Sequence, residues 1–184
     1  IVRGILRRKS GGGGSTITQQ LAKQCYTEQV ASNSLQRALQ KPIEWVIAVQ
    51  LERYYTKKEI VAMYFNKFDF VNNAVGIKSA SSVYFNTSPD KLSVEQAATL
   101  VGMCQNPAYY NPVRFNERTK ERRNVVLSQM ERAGYLTEHV CDSLQKLPLV
   151  LDYQKVDHKL GLAPYFREYL RRMLMAKKPV RSNY

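Results

Sequence analysis

Gly11-Gly-Gly-Gly-Ser-Thr-Ile-Thr-Gln-Gln-Leu-Ala-Lys23 is a run of glycines that ends in two hydroxyls and continues directly into a helical pattern. The glycines allow positive φ and a close approach of the backbone to a ligand. Ser15 or Thr16 can cap the helix, and Thr16 with Gln19 has the spacing of a capping box. The free N–H groups of the first turn carry partial positive charge, to which Lys23 adds a full charge. The stretch therefore predicts an anion site suited to a diphosphate.

The glycine run has two other interpretations, a flexible loop and a nucleotide-binding P-loop. Most glycine-rich segments are simply flexible loops. A nucleotide-binding P-loop is disfavoured, because its lysine and Ser/Thr directly follow the last glycine, whereas Ser15 and Thr16 follow Gly14 here.

Gly13 to Lys23 resembles the second signature of the peptidoglycan glycosyltransferases of glycosyltransferase family 51. This is the lysozyme-like domain of class A penicillin-binding proteins and monofunctional transglycosylases. Further similar stretches follow in the family's order: Lys41-Pro-Ile-Glu44 through Leu51-Glu52, Lys58-Glu-Ile to Tyr64-Phe-Asn66, Gly76-Ile to Tyr84-Phe85, Leu92-Ser-Val-Glu95-Gln-Ala-Ala, Asn106-Pro107 and Tyr110-Asn111-Pro112.

The resemblance implies a mainly α fold, a lysozyme-like helical domain with a small irregular jaw subdomain. We expect residues 1–147 to form the glycosyltransferase domain. Residues 148–184 are expected to be a linker toward a transpeptidase domain that this chain does not contain, because 162–170 is similar to the family's connector.

The resemblance also assigns site residues. Glu44 matches the second functional glutamate of the family and is expected to act at the leaving diphosphate. The donor groove is expected to be lined by Ser15, Thr16, Gln19, Gln20, Lys23, Arg37 and Lys41. Lys23 and Lys41 match motif positions directly, whereas Arg37 lies near the family's arginine. Gln40, Pro42 and Gln24 depart from the family pattern: the first two remove one cation and add a proline, and Gln24 stands where an asparagine is usual.

The implied reaction polymerises lipid II into glycan strands. The 4-hydroxyl of one lipid-linked disaccharide attacks C1 of the growing glycan, with inversion and release of undecaprenyl diphosphate. The partners implied are lipid II, the growing glycan and an acidic membrane surface, at the periplasmic face of a bacterial inner membrane. No cofactor is required, although Mg²⁺ or Mn²⁺ can accompany the diphosphate.

The family's first motif, which carries the general-base glutamate, does not occur before Gly11. We expect it upstream of Ile1. A positioned general base contributes a rate factor of roughly 10²–10⁴. The 184-residue chain is therefore expected to bind glycosyltransferase ligands and to polymerise them weakly or not at all.

The charge is +13, from 28 Lys and Arg against 15 Asp and Glu. Such a surplus favours an anionic partner: nucleic acid, acidic lipid or a phosphorylated substrate. Two other functions are compatible with the sequence, those of a lysozyme-like lytic enzyme and of a basic helical nucleic-acid-binding module. Because no recognition helix or stacking platform stands out, no nucleic acid is expected as a partner. The oligomeric state is left open.

No apolar run approaches the roughly 20 residues of a membrane-spanning helix, and no signal peptide is visible. Any anchor is therefore expected outside this chain. The cysteines Cys25, Cys104 and Cys141, with His139 and His158, lack metal-ligand spacing, so no metal site is expected. The cysteines are expected to be buried free thiols.

Patterns of caps and apolar residues predict the helices 15–26, 35–55, 56–66, 93–104, 116–133 and 137–147, with a loop at 27–34. The 35–55 helix is expected to bury Ile43, Ile47 and Leu51, with Val46 and Val49 widening the stripe. Pro42 is expected to kink or split it.

Three segments lack a clear helical period. Residues 67–74 read as irregular, and Phe68 and Phe70 can either enter lipid or pack against the domain. Residues 149–153 are read as a possible strand. Residues 1–10 can lie on acidic lipid through Arg3, Arg7 and Arg8 or be a solvated helix end.

Overall fold

The computed structural model describes residues 15–26, 34–155 and 164–176. Within these ranges the chain is mainly α-helical, as predicted, with no regular strand. The α-helices are α1 (Ile17–Tyr26), α2 (Ser34–Tyr54), α3 (Lys57–Lys67), α4 (Ile77–Phe85), α5 (Val94–Met103), α6 (Asn116–Arg132), α7 (Glu138–Lys146) and α8 (Pro164–Ala176). The predictions for residues 1–14 and 27–33 lie outside the described residues.

Local capping chemistry sets the helix starts that the sequence predicted. Thr16 and Gln19 form a reciprocal pair, each backbone N–H donating to the other's side chain at 3.2 Å. Thr56 and Glu59 form the same capping box at the start of α3. These contacts satisfy N–H groups that have no partner within the helix.

The main core lies where α1 packs against α2 and α3. It continues into α4 and α5, and it includes Leu21, Tyr64, Phe70, Tyr84 and Leu100, all at most 4% exposed. The apolar pattern of residues 56–66 predicts Ile60, Met63 and Tyr64 on the inner face of α3. Ile60 and Tyr64 are buried and Met63 is half-buried.

A second cluster joins α5, α6 and α7 through Ala98, Val126, Leu127 and Cys141. The apolar pattern of residues 116–133 predicts Val126, Met130 and Ala133 on the inner face of α6. Val126 is buried and Met130 half-buried, but Ala133 is exposed, so the prediction is wrong for Ala133.

The buried face of α2 differs from the predicted one. Leu51 is buried and Ile47 half-buried, but Ile43, Val46 and Val49 are 60%, 62% and 56% exposed. The face that packs on α1 instead carries Glu44, Ala48 and Leu51. The helix is apolar on both sides, so the apolar period could not select the inner face. The helix also continues unsplit through Pro42.

Of the two alternatives for Phe68 and Phe70, packing against the domain is correct and entry into lipid is wrong. They are 8% and 0% exposed, and their rings stand 4.9 Å apart in an edge-to-face contact within the main core. After them, Val71, Asn72 and Asn73 all have positive φ, at 59°, 51° and 63°. This left-handed turn reverses the chain, so the aromatic side chains point back into the core.

Residues 149–153 do not form a strand. The segment is extended and lies against the end of α4, where the N–H groups of Asp152 and Gln154 donate to the carbonyls of Tyr84 and Val83 at 3.1 and 2.8 Å. These carbonyls lack helical partners, so the segment caps a helix terminus rather than extending a sheet.

The thiol prediction is correct only in part. Cys141 is buried and Cys104 half-buried, but Cys25 is exposed, and all three are free. Burial raises the pKa of the Cys104 thiol to about 12, which keeps it protonated and unreactive.

Across the described ranges, no helix has the length and apolarity needed to cross a bilayer.

Candidate functional site

Ser15, Lys41 and Glu44 come together where the glycine run ends. The Lys41 Nζ donates to Ser15 Oγ at 3.4 Å and to Glu44 Oε2 at 2.5 Å. Ser15 and Lys41 are 26 residues apart in sequence. Packing of α1 on α2 creates this contact.

Glu44 is buried, with 4% of its surface exposed. A buried carboxylate requires a partner, which Lys41 supplies from one turn earlier in α2. The Lys41 side chain is 32% exposed, so the ammonium faces solvent on one side and Glu44 on the other. The pair fixes a cation beside the N-terminus of α1, which is an arrangement that can hold an anion.

The other predicted site residues of α1 differ in their hydrogen-bond partners and in their exposure. Thr16 and Gln19 use their side chains as the helix cap. The Oε1 of Gln20 accepts a hydrogen bond of 3.2 Å from the Tyr64 hydroxyl. Burial raises the pKa of Tyr64 to about 12, so this hydroxyl remains a donor at neutral pH. Lys23 is exposed, one helical turn beyond Gln19.

Arg37 lies on α2 one turn before Lys41. The helix periodicity places both residues on the same side of α2. The side chain of Arg37 lies outside the described part of the structure.

Glu52 has a partner on α1, since the Thr18 hydroxyl donates a hydrogen bond of 2.7 Å to Glu52 Oε1. Both residues line a cavity of about 570 Å³ whose walls include Ile17, Tyr55 and Ile60. Sequence reasoning missed this cavity because Thr18 and Glu52 lie 34 residues apart and carry no shared motif.

Where the structure describes the chain, it brings together no group of three or more His, Cys, Asp or Glu side chains that could hold a metal ion. At the candidate site the donor set is one carboxylate and one hydroxyl beside an ammonium. This donor set does not fit a resident divalent ion, because the ammonium already occupies the carboxylate.

A family model described as Transglycosylase matches residues 1–131 of this chain. Among curated proteins, penicillin-binding protein 2a of Streptococcus pneumoniae is 42% identical over 135 residues, which cover 73% of this chain and 18% of that protein. Penicillin-binding protein 1A/1B of Bacillus subtilis is also 42% identical, over 140 residues, covering 73% of this chain and 14% of its own length. Penicillin-binding protein 1A of Streptococcus oralis is 36% identical over 178 residues, 95% of this chain and 28% of that protein.

Among solved structures, the 2.6 Å crystal structure of penicillin-binding protein 1A from Haemophilus influenzae is similar to this chain. The TM-score is 0.52 at 23% identity, and the match covers 91% of this chain and 20% of that one. This similarity supports the helical fold. The chain spans less than a third of the length of these relatives.

Proposed function

This chain belongs to the transglycosylase family, and from that premise we propose that it forms a peptidoglycan glycosyltransferase site in which Ser15, Lys41 and Glu44 bind the diphosphate of a lipid-linked sugar. The observation that carries the proposal is the Ser15–Lys41–Glu44 cluster at the end of the glycine run. It combines a hydroxyl, an ammonium and the N-terminus of α1 in one place.

Each group has a distinct role in this proposal. The Lys41 ammonium offsets the negative charge that develops on the departing diphosphate, which is electrostatic stabilisation of the transition state. Ser15 donates or accepts a hydrogen bond at the phosphate oxygens. Glu44 acts mainly by holding Lys41, because its carboxylate is buried against the ammonium at 2.5 Å.

Lys23 and Arg37 supply further cations, and Thr16, Gln19 and Gln20 line the donor groove through the first turns of α1. Thr16 and Gln19 contribute mainly by fixing the helix end, since their side chains bond to each other's backbone. Gln20 is oriented by Tyr64.

In the proposed reaction, the substrate is lipid II and the product is a longer glycan strand. The 4-hydroxyl oxygen of the acceptor forms the new bond to C1 of the donor. The bond from C1 to the diphosphate oxygen breaks, with inversion, and undecaprenyl diphosphate leaves. The hydroxyl proton passes to a general base that does not belong to this cluster.

The same proposal places the chain at an acidic membrane surface on the periplasmic side of a bacterial inner membrane. A divalent cation enters only with the diphosphate, whose oxygens would supply its other ligands.

A direct test measures binding of a lipid-linked diphosphate analogue to the full chain in detergent micelles. Lys41→Ala is expected to weaken binding by ~1–3 kcal/mol, the range for a lost charge-assisted contact. Ser15→Ala is expected to lose less, because the Ser15 hydroxyl carries no charge of its own to attract the diphosphate. Lys146→Ala is the matched control, since Lys146 is an exposed lysine on α7, outside the stretches that are similar to the family.

The proposal would be contradicted if the Lys41→Ala, Lys23→Ala and Arg37→Ala variants all bound the analogue with the affinity of the parent chain. Release of fragments from finished glycan, with no use of the lipid-linked precursor, would assign the chain to lytic chemistry instead.

A further inference from the structure

A basic and aromatic patch lies on the turn before α6 and the first turns of that helix. We call it the Arg118 patch, and it consists of Tyr109, Tyr110, Phe115, Arg118 and Arg122. The guanidinium carbon of Arg118 lies 4.1 Å from the centre of the Tyr109 ring and 4.7 Å from that of Phe115. The guanidinium carbon of Arg122 lies 5.9 Å from the Tyr110 ring. The rings therefore hold both guanidinium groups in place.

Among the described side chains, no carboxylate forms an ion pair with Arg118 or Arg122. The Nε of Arg122 is buried without a hydrogen-bond partner, so it is not one of the donors that a surface partner can reach. Glu117 and Glu121 lie on the same helix, exposed and not within ion-pair distance of either arginine. Oriented guanidinium groups with unused N–H donors are suited to phosphate or carboxylate.

The patch adjoins the left-handed turn at residues 71–73. The Asn72 side-chain amide donates to Asn111 Oδ1 at 3.3 Å and to the Tyr84 hydroxyl at 3.1 Å, which joins the two loops. Phe68 and Phe70, close to this turn in sequence, are buried. The exposed aromatic side chains beside it are Tyr109 and Phe115, at 49% and 40%.

We propose that the Arg118 patch lies against the headgroups of an acidic lipid bilayer. Arginine, tyrosine and exposed apolar side chains such as Val113 are suited to the membrane–water interface. None of the patch residues lines the cavity at Thr18 and Glu52. The inference rests on the proposed function in one respect, which is that a lipid-linked substrate brings the chain to a membrane.

The location of contact is tested with a single-tryptophan reporter. Trp45 is the one tryptophan of the chain, so Trp45→Phe combined with Tyr109→Trp places the fluorophore in the patch. Vesicles of phosphatidylcholine with phosphatidylglycerol are expected to shift its emission to the blue, and pure phosphatidylcholine vesicles to leave it unchanged. Binding of the chain to the acidic vesicles without a shift would overturn the proposal.

The charge requirement is tested by vesicle sedimentation of the full chain. Arg118→Gln and Arg122→Gln are each expected to weaken binding to acidic vesicles about fivefold, which corresponds to about 1 kcal/mol per surface cation. Arg118→Lys keeps the charge and is expected to bind nearly as the parent chain does. Arg132→Gln is the matched control, an exposed arginine of α6 outside the patch.

The Glu121→Gln variant shows whether weaker binding of the arginine variants could come from misfolding. Removal of this acid beside the patch is expected to strengthen binding, by up to about fivefold, and a poorly folded variant does not produce such a gain. Unchanged vesicle affinity in Arg118→Gln, Arg122→Gln and Glu121→Gln overturns the proposal. Stacked aromatic and basic groups also suit nucleic acid. The proposal is therefore also overturned if the chain binds single-stranded DNA more tightly than acidic vesicles and if Arg118→Gln abolishes that DNA binding.

Failure here is separable from failure of the proposed function. Binding of the lipid-diphosphate analogue in neutral micelles depends on Lys41 and Ser15 and does not involve Arg118. The two measurements can therefore give opposite results.

Discussion

At the scale of single residues, Arg123 shows how a charged group can serve as part of the core. It is fully buried in α6. Its Nη2 donates to the carbonyl of Leu147 at 2.7 Å and to that of Gln145 at 3.2 Å, at the C-terminal end of α7. Burial lowers the pKa of the guanidinium, but arginine stays charged at neutral pH. The positive charge therefore meets the negative end of the α7 dipole.

Arg123→Met is expected to destabilise the chain by about 2–4 kcal/mol, because it leaves the partly buried carbonyls at the end of α7 without donors. Arg123→Lys is expected to recover only part of that loss, since an ammonium cannot reproduce the planar fork. Chemical denaturation with urea measures both changes. Arg132→Met is the control, and a cost for Arg123→Met as small as that of the control would contradict the capping role.

Lys41 and Glu44 are a second case at this scale. The carboxylate is buried and its partner is one turn away, so neither residue can be understood alone. Sequence matching assigned Glu44 to the leaving-group side, whereas its closest described contact is Lys41. This favours a role in positioning the cation.

At the scale of elements, α2 carries apolar side chains on two opposite faces. Its inner face uses Ala48 and Leu51, and its outer face leaves Ile43, Val46 and Val49 exposed in the described structure. Loss of an exposed methyl group costs little, whereas deletion of a buried side chain leaves a cavity.

Leu51→Ala is therefore expected to cost about 2–5 kcal/mol and Val46→Ala less than about 0.5 kcal/mol in this chain. Thermal and urea unfolding of the two variants compare the faces directly. Similar costs at the two positions would mean that the outer face is covered in solution.

At two glycines near helix ends, an added side chain is disfavoured for different reasons: backbone strain alone at one, and strain together with steric crowding at the other. Gly76, before α4, and Gly134, after α6, have positive φ of 83° and 78°. A Cβ at position 76 would lie 2.7 Å from the Asn66 carbonyl oxygen, whereas at position 134 nothing lies within 4 Å.

Gly134→Ala is expected to cost roughly 1–2 kcal/mol, from the left-handed backbone alone. Gly76→Ala is expected to cost roughly 1–3 kcal/mol more, because the clash involves backbone that cannot rotate away. The difference between their urea midpoints measures the crowding, and equal costs would show that the Asn66 backbone yields.

At the scale of the whole molecule, the segment after α7 joins the two hydrophobic clusters. Leu149 is buried, and its carbonyl accepts a hydrogen bond of 3.0 Å from Asn116 at the start of α6. Three residues later, Asp152 caps α4, which belongs to the main core. The chain thus runs from the second cluster to the first through residues 148–155.

Truncation after Leu147 is expected to lower the melting temperature by roughly 5–10 °C, because it removes about 2–3 kcal/mol of apolar burial and caps. Truncation after Lys155 keeps these contacts and is expected to change the melting temperature little. Calorimetry of the two truncations also tests the predicted domain boundary at residue 147, which would be supported if both were equally stable.

The sequence by itself determined the mainly α class, the capped helix starts and the family. Capping boxes such as Thr56 to Glu59 are local, since each links residues three apart. The motifs that match the family are also recognised from the order of residues alone, without knowledge of how the helices pack. The choice of Ser15 and Lys41 as site residues came from the same motifs, and the structure brings the two into contact.

Only the tertiary structure decided which apolar faces are buried and which distant groups meet. Phe68 and Phe70 enter the core because the turn at residues 71–73 reverses the chain. The inner face of α2, the Thr18–Glu52 contact and the capping of α4 by residues 152–154 all depend on segments far apart in sequence. Hydrophobic periodicity describes a single element. Burial depends on what packs against that element, and for this reason the sequence could not predict these contacts.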